Sequence, residues 1–71
     1  MPSDEELDQL YAAYERALDE YAEATSAVYE RIRRRTLPTA EEFARKLTAQ
    51  AVLQGARRAF WKATRQSQRV H

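Results

Sequence analysis

Seventy-one residues (8.3 kDa), no cysteine and a formal net charge of +1 describe one small unit with no disulfide or thiolate–metal support for its core. A chain this short buries only about 60% of the surface its unfolded form exposes, so its stability margin is thin. One glycine, two prolines and thirteen alanines argue against a turn-rich β fold. The 44% hydrophobic and 32% charged composition argues against disorder.

The N-terminal run Met1-Pro2-Ser3-Asp4-Glu5-Glu6 is acidic where a secretory leader would be basic and then apolar. No stretch reaches the length of a membrane span. A cytoplasmic location is expected. Ser3 and Glu6 have the spacing of a capping box, which predicts a first helix over about 3–35. Leu7, Tyr11, Tyr14, Leu18, Tyr21, Thr25, Val28 and Ile32 follow at alternating steps of four and three, a heptad seam with one polar member. Leu10, Ala17, Ala22, Ala24 and Tyr29 flank it, and its tyrosines read as core residues.

Pro38 bars helical continuation, so 36–38 is read as a turn. Thr39 and Glu42 repeat the capping-box spacing and open a second helix over about 39–68. A connection this short makes the helices antiparallel neighbours. The expected fold is therefore all-α: one helical hairpin spanning 1–71.

The second helix carries two apolar stripes. Ala40, Phe43, Ala44, Leu47, Ala51 and Trp61 fall on one side; Ala49, Val52, Leu53, Ala56, Phe60 and Ala63 fall on another. A lone hairpin needs one stripe, so a second copy is expected to cover the other and complete a four-helix bundle. Val52, Leu53, Ala56 and Phe60 are the expected dimer contacts. Gly55 is read as lying inside one continuous helix, where it permits a close helix crossing. The alternative splits the segment into 39–54 and 56–68.

Charge is divided along the chain. Residues 1–30 hold nine acids and one base, whereas 31–71 hold eleven bases and two acids. Arg58, Lys62, Arg65 and Arg69 form one stripe on the second helix, with Trp61 beside it and Arg57 farther round; Arg31, Arg33, Arg34 and Arg35 cluster at the end of the first. Antiparallel pairing predicts that the stripe neutralises the acids of the first helix, within a chain or across a dimer. Its other readings are a nucleic-acid surface using Arg57, Arg58, Trp61, Lys62, Arg65 and Arg69, an acidic protein partner, or a membrane surface.

Catalytic apparatus is sparse. The lone histidine is His71, no serine has an internal imidazole to activate it, and one glycine cannot build a phosphate loop. Glu15, Asp19 and Glu23 lack the Glu-x-x-His partner of bundle metal sites and read as a solvated face. The expectation is a non-enzymatic interaction protein without catalytic residues, metal or cofactor: a small dimeric adaptor, regulator or inhibitor acting on a protein partner. A nucleic-acid-binding hairpin dimer is the alternative.

Overall fold

The computed structural model describes residues 3–68. Two helices, α1 (Asp4–Arg33) and α2 (Ala40–Gln68), pack antiparallel as a hairpin. Each start is capped where the sequence places it. The Glu6 amide donates to Ser3 Oγ at 3.2 Å. At α2 the box is reciprocal: the Glu42 amide donates to Thr39 Oγ1 at 3.1 Å, and the Thr39 amide donates to Glu42 Oε1 at 3.0 Å.

The first helix stops at Arg33, two residues before the expected boundary, and hydrogen bonding rather than Pro38 closes it. The Thr36 amide donates to the Arg31 carbonyl at 2.9 Å and the Arg35 amide to the Ile32 carbonyl at 3.0 Å, the paired bonds of a Schellman motif. Arg35 occupies the left-handed position at φ 57°. Glycine is the usual residue there, because a Cβ in that conformation costs roughly 1–2 kcal/mol.

Helix α2 runs unbroken through Gly55, so the split alternative does not apply. The expected crossing at Gly55 does not occur either. The residue is exposed, and a Cβ added to it would meet nothing within 4 Å. Gly55→Ala should therefore stabilise the protein by about 0.5–1 kcal/mol through helix propensity alone. Thermal unfolding followed by circular dichroism checks this, and a lower midpoint would mean that the Gly55 surface is covered by a partner.

The contact between the helices is made of small side chains. Ala17, Ala24 and Val28 of α1 and Ala49 and Ala63 of α2 are buried. Leu10, Tyr14, Tyr21, Leu53, Ala56 and Phe60 are half-buried around them. The intramolecular seam of α1 is thus Leu10, Tyr14, Ala17, Tyr21, Ala24 and Val28. It shares Tyr14, Tyr21 and Val28 with the expected seam, while Tyr11, Leu18 and Ile32 are left exposed. Alanines win the contact line because they let the two backbones approach closely. Thr25 sits between these two sets, and its Oγ1 is buried without a hydrogen-bond partner.

No large side chain is fully buried among the described residues. The hairpin measures 53 × 16 × 14 Å, with a radius of gyration of 16.0 Å against about 11 Å for a compact domain of this length. It exposes 5925 Å², about 1,300 Å² more than a compact monomer of this mass.

Candidate functional site

The hairpin has two unlike broad faces, and helix geometry decides which residues reach each. In an antiparallel pair, turning in the same sense from each helix's contact line arrives at the same broad face. At about 100° per residue, one face receives Tyr11, Leu18, Tyr29 and Ile32 from α1, and Phe43 and Trp61 from α2. All six are exposed, Tyr11 at 54%, Leu18 at 46% and Trp61 at 50%. Leu47, also exposed, lies at the outer margin of this face.

Ring contacts tie the two helices together along it. Phe60 meets Tyr11 at 5.9 Å and Tyr14 at 5.8 Å between ring centroids, and its neighbour Trp61 at 6.1 Å. These tilted and edge-on arrangements suit the aromatic quadrupole. The rings form a cluster near the open end of the hairpin, buried on its inner side and bare on its outer side.

The opposite face is ionic. Arg45 Nε donates to Glu20 Oε1 at 2.8 Å, and Arg45 Nη2 reaches Glu23 Oε2 at 3.4 Å. The hydrogen bond from Arg45 holds the Glu20 carboxyl below its ordinary pKa against the opposing effect of burial; the Arg45 charge adds to the lowering. Val52 is on this side too, sharing a shallow depression with Ala17, Glu20, Arg45, Thr48 and Ala49. Glu20 therefore turns to α2 rather than to Arg16, the i, i+4 neighbour that sequence spacing offers. Glu15, Asp19 and Glu23 are exposed, as a solvated acidic face requires, with Glu23 also within reach of Arg45. Glu30–Arg34 forms as the spacing suggests, at 3.2 Å.

Nearer the loop, Arg31 Nε donates to Glu42 Oε1 at 3.0 Å, fastening the α1 end to the α2 start. The Glu42 carboxyl is held low first by the Thr39 amide, opposed by partial burial, and then by Arg31. One carboxylate thus caps a helix and clamps the turn. Sequence spacing revealed the cap. The clamp depends on tertiary register and left no local signal.

The residues expected at a dimer contact are divided by the structure. Leu53, Ala56 and Phe60 are half-buried on the contact side of α2, so the hairpin itself uses them; Val52 is exposed on the ionic face. The reason is register: the line through Ala49, Leu53, Ala56, Phe60 and Ala63 meets α1. The stripe left facing outward is the one carrying Phe43, Leu47 and Trp61.

The basic stripe also faces outward. Gln54, Arg57, Arg58, Trp61, Lys62, Arg65 and Gln66 line one open surface along the second half of α2. Among the described residues, Arg57, Arg58, Lys62 and Arg65 form no ion pair. The expected neutralisation by α1 within one chain therefore does not occur among the described residues, because Arg58, Lys62 and Arg65 lie on the side of α2 away from α1 and Arg57 turns toward the aromatic face. Arg69 lies outside the described residues.

Among the described residues, no group of three or more His, Asp or Glu is placed to hold a metal ion, and no helix is long and apolar enough to cross a membrane. Comparisons with protein-family models, curated proteins and solved structures find no match to this chain.

Proposed function

We propose that the protein is a non-enzymatic helical interaction module that works as a homodimer, its aromatic face covered by the same face of a second copy. The observation that carries this reading is the one-sided exposure of Tyr11, Leu18, Tyr29, Ile32, Phe43 and Trp61 over a core of alanines and one valine. Soluble monomers rarely leave so many large apolar side chains bare on one face. A second copy would take roughly the excess 1,300 Å² from each chain, on the scale of obligate homodimers.

The occupant is a second copy because α1 presents heptad-spaced Tyr11, Leu18 and Ile32 at this face, with Phe43 and Trp61 of α2 flanking them toward the two ends of the hairpin. Two such faces together enclose the layered core that one hairpin lacks. The resulting dimer is a scaffold of adaptor or regulator type, with its ionic faces and loops free to engage a protein partner.

Trp61, the one tryptophan in the chain, reports on the reading directly. Diluting the protein from about 100 µM to well below 1 µM should shift its emission to longer wavelength as helicity is lost in the same transition. Emission and helicity independent of concentration, with a stable hairpin throughout, would contradict the dimer.

A further inference from the structure

The two long edges of the hairpin carry opposite charge at the same end. Helical spacing puts Asp4, Asp8, Glu15 and Asp19 on the edge of α1 farthest from α2. Arg58, Lys62 and Arg65 lie on the edge of α2 farthest from α1, with Arg57 turned toward the aromatic face. None of these eight residues forms an ion pair among the described residues. Within one chain they cannot meet, since both helices stand between them.

Two identical hairpins can be laid face to face about a two-fold axis in two ways. With the axis parallel to the helices, α1 of each copy lies over α2 of the other and both loops sit at one end. The acidic edge of each copy then runs beside the basic edge of the other, at the same level. With the axis across the helices, α2 lies over α2 of the other copy in reverse. The cations then face the other copy's Ala44, Leu47 and Ala51, and find no carboxylates to match them.

We infer that the dimer adopts the first arrangement: a same-end four-helix bundle in which the Asp4–Asp19 edge of each copy docks against the Arg58–Arg65 edge of the other. This rests on the proposed dimer and specifies its orientation. It gives the basic stripe a counter-charge that the isolated hairpin withholds. Neighbouring helices are antiparallel in both arrangements, so the macrodipoles do not choose between them and the charged edges do. Apolar burial drives association; the charged edges choose the orientation, since the alternative leaves like and unpaired charges at the rim.

The absence of native cysteine makes a site-specific distance measurement direct. Leu37 is 90% exposed in the loop, so Leu37→Cys accepts a spin label without disturbing either helix. In the full-length dimer, pulsed electron paramagnetic resonance should give a label separation within about 25 Å, set by bundle width. A separation near the 53 Å hairpin length would overturn the orientation while leaving the dimer standing. A monomer would overturn both.

Charge reversal supplies the second arm. The triple variant Arg58→Glu, Lys62→Glu, Arg65→Glu should weaken dimerisation at low salt on the order of tenfold, with the loss shrinking in high salt. Unchanged dimerisation of this variant would overturn the edge pairing. So would salt-sensitive binding of a single-stranded oligonucleotide by the wild type that quenches Trp61 and is lost in the variant, because the stripe would then serve nucleic acid.

Discussion

Leu18→Asp should abolish the dimer and, at micromolar concentration, unfold the chain with it. In the hairpin Leu18 is exposed at the centre of the α1 apolar face. A carboxylate there stays solvated in a single copy but is trapped in the bundle of the proposed dimer, at a cost of several kcal/mol per copy. The alanine-lined contact between α1 and α2 cannot hold two helices together alone, so losing the dimer means losing the fold. Val52→Asp is the matched control. Val52 is exposed like Leu18 (57% against 46%), yet it lies on the ionic face beside Arg45, where a carboxylate is tolerated. Size-exclusion chromatography with circular dichroism separates the two. Equal damage from both, or from neither, would contradict the assignment of the faces.

Phe60→Ala should have the largest effect of any truncation to alanine, about 3 kcal/mol or more. Its ring joins Tyr11 and Tyr14 across the helices and supports Trp61, so removing it opens a cavity under three aromatic neighbours at once. Against the few kcal/mol expected of so small a domain, that is a large fraction of total stability. Urea unfolding at fixed protein concentration measures it. A loss below about 1 kcal/mol would mean that the cluster at the open end does not hold the helices together.

The helix starts and their antiparallel pairing were legible because capping is local: Ser3 with Glu6 and Thr39 with Glu42 announce themselves by spacing alone. The division of apolar surface between the inside of the hairpin and its bare face was not. Tyr14, Tyr21 and Val28 belong to two overlapping heptad lines, one completed by Ala17 and Ala24, the other by Leu18 and Thr25. Size suggested the second. Close helix approach selects the first, because small side chains bring two helices together where large ones hold them apart. On α2 the same ambiguity exchanged the stripe used within the chain for the one left outside. The end of α1 was hidden because Arg35 takes a position where glycine would have marked the stop. The ion pairs of Glu20 and Glu23 with Arg45 lie more than twenty residues apart in sequence, and only register brings them together.

Sedimentation equilibrium of the wild-type chain at micromolar concentration is the most direct test of a face covered by a second copy. A single species at twice the 8.3 kDa chain mass is expected, dissociating and losing helicity together on dilution. A cooperatively folded species at the mass of one chain would contradict it, and would mean that the aromatic face is stable in water.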